Sequence, residues 1–209
     1  MSRGTPPPVA PEGAGPLLVV ISGPSGVGKD TVLARMKERG LPLHFTVTAT
    51  TRPPREENSA DPFLALLSEE AFNRLLEEDG LLEHARVYGY RYGVPKAPVR
   101  EALERGQDVV VRVDTQGAAS IKSLAPAAIL IFLAPPSLEA LDARLRARGL
   151  DDAETIQRRL QAASQELEQA AKFDHTVVNE EDGVDDVVDQ VFAIMTAERS
   201  RAGRRPVVL

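Results

Sequence analysis

Gly23-Pro24-Ser25-Gly26-Val27-Gly28-Lys29-Asp30 follows the phosphate-loop pattern G-x-x-x-x-G-K-[ST] at every position but the last, where Asp30 stands for the hydroxyl residue. Its flanks give the match its meaning. Leu17-Leu18-Val19-Val20-Ile21 ahead of it is an apolar run suited to a buried parallel strand. Thr31 to Glu38 behind it spaces Val32, Leu33 and Met36 as a helix does. Strand, glycine turn and helix together aim backbone N–H groups and a helix N-terminus at phosphate. A Gly/Ser-rich turn that merely precedes a helix would share the glycines but not both flanks. Asp30 has two readings. It is a magnesium ligand where Ser or Thr usually serves, or an acidic residue in a first helical turn, where negative charge suits the helix dipole.

Outward from this loop, elements alternate along the chain. The pattern predicts a strand over 45–50 and a helix over 68–78 that starts at Ser68. A strand follows near 81–85, then a helix over 97–105, with Val-rich or aliphatic strands at 108–113 and 129–133. Helices are expected over 138–148, 153–172 and 184–199, with a last strand at 175–178. Strands alternating with helices imply an α/β fold, a parallel sheet with helices on both faces. Residues 1–16, with Pro6-Pro7-Pro8, read as a disordered leader, and 200–209 as a frayed basic tail.

Composition narrows the function classes. A net charge of −6 argues against general nucleic-acid binding. The absence of cysteine removes disulfides, thiolate metal sites and cysteine nucleophiles. His44, His84 and His175 have no ligand spacing. No stretch reaches the roughly 20 apolar residues that cross a bilayer. No hydrophobic signal core opens the chain, so the expected compartment is the cytoplasm. Arg52 and Arg55 follow a strand end close to the phosphate loop and offer guanidinium forks to a second phosphate. Two arginines in a loop can equally be solvated. Glu83, Tyr92 and Asp114 fall at strand ends or in glycine-flanked loops, where α/β folds gather their ligands.

Several segments together resemble the guanylate kinases, phosphate-loop nucleoside monophosphate kinases. They are Ser22 to Lys29, Thr50-Thr51-Arg52-Pro53-Pro54-Arg55, Tyr92-Gly93-Val94-Pro95-Lys96, Val113-Asp114-Thr115-Gln116-Gly117 and Ala134-Pro135-Pro136-Ser137. Arg148-Gly149, Arg159 and Val177-Val178-Asn179 complete the series, in order, from about residue 17 to about 196. The resemblance implies one domain over 17–199, with an acceptor-binding insert near 48–97 and a helical lid near 138–160. It implies phosphoryl transfer from ATP to GMP, and to dGMP, assisted by Mg2+. Gly23, Pro24, Ser25, Gly26, Val27, Gly28, Lys29, Asp30 and Thr31 would hold ATP, with Asn179 on its adenine. Thr48, Glu83 and Asp114 would read guanine, and Arg52, Arg55 and Tyr92 would hold the acceptor phosphate. Lys29, Arg144, Arg148 and Arg159 would act on the transferring group. The implied partners are ATP and GMP alone, with neither nucleic acid nor membrane, in a monomer or homodimer.

Two departures from the family pattern stand out. Aligned without a gap, Asn58 occupies a glutamate position and Leu64 that of a phosphate-binding tyrosine. Arg112 occupies a position that is usually acidic and faces the magnesium shell. Asp30 and Arg112 therefore read as a charge exchange that keeps a carboxylate for magnesium, or as an ion pair that blocks it. Either version needs the two side chains in contact. The altered 56–66 segment leaves two further readings: a ribose 1,5-bisphosphate kinase or similar small-molecule kinase, and a catalytically silent interaction module.

Overall fold

Of the 209 residues, the computed structural model describes 15–53, 62–87, 89–149, 151–181 and 183–209. In chain order the elements are β1 (Leu18–Ser22), α1 (Lys29–Glu38), β2 (Leu43–Phe45), β3 (Thr48–Thr50) and β4 (Leu64–Leu66). Then come α2 (Glu69–Glu77), β5 (Leu81–Val87), β6 (Tyr90–Pro95), α3 (Lys96–Glu104), β7 (Asp108–Arg112) and α4 (Thr115–Leu124). β8 (Ile129–Ala134), α5 (Leu138–Ala147), α6 (Ala153–Glu168), β9 (His175–Val178) and α7 (Val184–Arg199) complete the described chain.

β1 sits in the middle of a parallel sheet ordered β2-β7-β1-β8-β9. Its residues alternate between the faces, as a strand's period of two requires. Leu17, Val19 and Ile21 join a core with Val32, Leu33 and Met36 of α1 and Val187, Val188 and Val191 of α7. Leu18 and Val20 join Val99 and Ala102 of α3 and Ala118 and Ile121 of α4 on the other face. Burial on both sides explains the unbroken aliphatic runs of β1, β7 and β8. The anticipated α/β fold, with helices on both faces, is what forms.

A second sheet, β4-β3-β6-β5, stands beside the first. β6 runs antiparallel to β3 and β5, while β4 is parallel to β3. It covers its own small core of Ala49, Phe72 and Leu81. The single strand expected over 45–50 is corrected here. Thr46 N–H still bonds Val110 carbonyl in the first sheet at 3.1 Å, and Thr48 N–H bonds Phe63 carbonyl in the second at 2.8 Å. The alternating Phe45 to Thr50 pattern thus spans a change of sheet, which side-chain periodicity cannot register. β4, β6 and α4 were not anticipated. Asp114, whose carboxylate accepts from Gly117 N–H at 2.8 Å, is the N-cap that marked α4.

The terminal segment over 200–209 also departs from expectation. Its last aliphatic residues, Val207 and Leu209, pack against the core shared by α3 and α4. Arg204 donates to the carbonyls of Gly15 and Pro16, and Arg199 pairs with Asp108, which also accepts from Leu17 N–H at 2.8 Å. Arginine-rich composition pointed to solvent, but two apolar anchors and available carbonyls hold the segment on the fold.

Candidate active site

The phosphate loop owes its shape to contacts that leave no room for side chains. Gly23 has φ +142°, and a Cβ there would stand 2.2 Å from Leu133 carbonyl oxygen. Gly28 has φ +101°, and a Cβ would meet Asn179 Nδ2 at 2.6 Å. Both positions therefore demand glycine. Val27 N–H closes the turn on Pro24 carbonyl at 3.2 Å, and α1 begins immediately at Lys29. Lys29 Nζ donates to the carbonyls of Gly23 (2.5 Å) and Pro24 (3.1 Å). Burial lowers the pKa of its ammonium, while the carboxylates of Glu166 and Asp30 act the other way.

Asn179 is buried at the end of β9 and donates its amide to Val27 carbonyl at 2.7 Å. Arg144, from α5, donates to Asn179 carbonyl at 2.8 Å. These two residues stand behind the loop and brace it; neither lines the cavity in front of it. That cavity encloses about 430 Å³ between the two sheets and α6. Gly23, Ser25, Gly26, Gly28, Lys29 and Asp30 line the end at the phosphate loop, with Arg148 and Arg159 reaching in from the helical side. Thr48, Arg52, Glu83 and Tyr92 line the other end, and Asp114 lies on the wall with Arg112. Arg55 falls outside the described residues, as do Asn58 and the rest of 54–61. Pro24, Val27 and Thr31 belong to the loop and helix but not to the cavity lining.

Electrostatics distinguish the end away from the phosphate loop. Thr48 and Glu83 are each only 7% exposed. Burial pushes the Glu83 carboxyl up to about 7, and the nearby Asp114 charge pushes the same way. Among the described residues its carboxylate has no hydrogen-bond partner. Arg52 Nε is likewise buried without one. An acid this desolvated beside a second carboxylate is characteristic of a binding site rather than of a packed core.

Asp30 and Arg112 are in contact, as both versions of the charge exchange require. Asp30 remains 69% exposed while Arg112 is 13% exposed, so the pair forms one rim of the cavity. Arg159 pairs with Asp151 at 3.0 Å, and its Nε is buried without a hydrogen-bond partner.

Sequence reasoning missed Glu166. It lines the cavity with Arg159 and Ala162, all on one face of α6 at spacings of three and four. Stepping along the helix from Arg159 would have found it. Burial raises its pKa, with Asp114 adding to the rise and Lys29 opposing it. Leu64, where the family pattern has a tyrosine, also faces this cavity.

A family model described as guanylate kinase matches residues 16–198. A guanylate kinase of Thermus thermophilus is 46% identical over 189 residues, covering 90% of this chain and 84% of the relative. That of Gloeobacter violaceus is 50% identical over 163 residues, covering 78% and 80%. A crystal structure of guanylate kinase from Anaplasma phagocytophilum superposes with a TM-score of 0.74 at 26% identity, covering 91% of this chain and 90% of that one. The order of motifs, the parallel sheet around the phosphate loop and these relatives agree: the chain belongs to the guanylate kinase family.

Proposed function

We propose that this protein transfers the γ-phosphoryl group of ATP to the phosphate of GMP, and of dGMP, yielding ADP and the nucleoside diphosphate. The observation that carries the reading is the buried Glu83 carboxyl, set beside Asp114 in the same cavity as Lys29. Guanine offers donors at N1 and N2 and an acceptor at O6. Glu83 as carboxylate accepts from N1–H and N2–H, Thr48 donates to O6, and Asp114 supports the amino edge. Adenine has an acceptor at N1, which a carboxylate repels. It would leave the buried acid unpaired, the arrangement that discriminates most strongly.

Arg52 and the Tyr92 hydroxyl hold the acceptor phosphate, and Arg52 Nε gains the partner it lacks. Leu64 withholds the hydroxyl that a tyrosine would add, so more of the phosphate affinity rests on the arginines, including Arg55. At the donor end the loop N–H groups and Lys29 receive the β- and γ-phosphates. Lys29 exchanges its carbonyl partners for phosphate oxygens. Arg148 and Arg159 neutralise charge on the transferring group, with Arg144 acting through Asn179 and the loop. Asn179 gives one amide N–H to the loop, so a contact with adenine would fall to its second N–H or its amide oxygen. No general base is needed, because phosphoryl transfer is mainly positioning and electrostatic stabilisation.

Magnesium in such reactions bridges and neutralises phosphate oxygens. Among the described residues no group of three or more carboxylates or histidines could hold a metal unaided. The donors present suit an ion delivered on the phosphates that keeps much of its water. Asp30, exposed on the cavity rim, would hold it through oxygen not engaged by Arg112.

The reaction consumes two soluble nucleotides, which suits a cytoplasmic enzyme, acting as a monomer or homodimer. No described helix is long and apolar enough to cross a membrane. The test is ADP release with ATP and magnesium, comparing GMP, AMP and ribose 1,5-bisphosphate. Turnover on GMP and not the others is expected. Turnover only on the sugar phosphate, or on none with ATP still bound, would overturn the reading.

A further inference from the structure

Glycine at position 117 is costly and needs a reason. Gly117 lies in the first turn of α4, where alanine would favour the helix by about 1 kcal/mol. Its φ is not in the left-handed region, so backbone freedom does not explain the choice. Space does. A Cβ at this position would stand 2.8 Å from Glu83 Oε2 and 3.2 Å from Glu83 Cδ, with Val113 Cβ at 2.9 Å. The same residue gives its N–H to Asp114 at 2.8 Å, so it fixes one carboxylate while clearing room for the other.

We propose that Gly117 is a positioning residue for acceptor selection: its missing side chain is what lets the Glu83 carboxylate lie against the start of α4, aimed at the base edge. This rests on the reading of Glu83 as the guanine acceptor. The end of a glutamate side chain is the softest of the atoms a methyl group would meet. It yields first, and swings away from the direction in which it must accept from the base. The consequence falls on GMP binding more than on folding. ATP, held at the far end of the cavity by the loop, is not touched by the change.

The experiment is a double-mutant cycle on GMP affinity, by calorimetric titration, with turnover and thermal melts alongside. Gly117→Ala is expected to weaken GMP about tenfold or more, the scale of a lost hydrogen bond to a charged group. The KM for ATP should stay within about twofold. Glu83→Asp withdraws the carboxylate by one methylene and makes room for the added methyl. In that background Gly117→Ala should cost less than about threefold. An equal cost in both backgrounds would overturn the proposal, because the effect would then run through Val113 and a displaced helix. So would unchanged GMP affinity in Gly117→Ala. If the unaltered protein does not bind or phosphorylate GMP, it is the reading of the site that fails, before any variant is compared.

Discussion

At the donor end of the cavity the groups that shape the phosphate loop already have protein partners, whereas at the acceptor end the Glu83 carboxylate has none among the described residues. Lys29 is held by two loop carbonyls, Asp30 by Arg112 and Val27 carbonyl by Asn179, while Arg159 pairs with Asp151 through its terminal nitrogen and keeps Nε unpartnered. Glu83 is buried with no hydrogen-bond partner for its carboxylate among the described residues, and Arg52 Nε is buried without one. The difference follows from chemistry. A phosphate loop binds through backbone N–H groups whose geometry must be fixed beforehand, so bracing it costs no binding capacity. A base edge is read by side chains, and any partner inside the protein would compete with the base.

Removing the donor-end cation tests the contrast most severely. Lys29→Met should lower kcat by about 10²–10³-fold, the scale of deleting a preorganised charge-stabilising donor. GMP affinity, measured by titration, should hardly change. If it falls in parallel, the two ends are not separable.

Glu83→Gln should lower kcat/KM for GMP by about tenfold or more, since an amide cannot accept both base donors. In the unaltered protein GMP affinity should fall as pH drops below about 7, because the carboxylate is the accepting form. The variant should lose that dependence. Stability moves oppositely. A carboxyl raised from 4.5 to about 7 by folding contributes stability fully present below pH 4.5 and lost as pH rises through 7. The charged form therefore costs the fold about 3 kcal/mol above pH 7. Glu83→Gln should melt higher than the unaltered protein at pH 8, with the advantage gone at pH 4. A flat difference across that range would mean the acid is not buried as described.

Smaller effects should sharpen the donor end. Asn179→Ala leaves Val27 carbonyl without its partner and should cost about 1–3 kcal/mol of stability. The KM for ATP should rise several-fold while GMP affinity is retained, because the loop loses its brace. Asp30→Ser should change stability by less than about 1 kcal/mol, because the pair is open to solvent on its Asp30 side and Arg112 has another interaction to rely on. Its effect should appear in the magnesium concentration needed for half-maximal turnover. No change there would identify the Asp30–Arg112 pair as a neutralised rim rather than a metal contact.

Local sequence determined a great deal of this protein. The loop from Gly23 to Lys29, the buried strands around it and the caps at Ser68 and Ser137 obey rules that act within a few residues. So the central fold, the phosphate loop and the gathering of Glu83 and Asp114 at one site were legible, while Arg159 came from the family resemblance alone. The tertiary structure decided what depends on residues far apart in the chain. It split 45–50 between two sheets, because the partners Val110 and Phe63 lie elsewhere in sequence. It brought Arg112 onto Asp30, and folded Val207 and Leu209 back onto the core. It turned Glu166 toward Lys29, and left Gly117 bare against Glu83. Hydrophobic period and capping are properties of a segment, whereas desolvation, contact and the space for one methyl group exist only between segments.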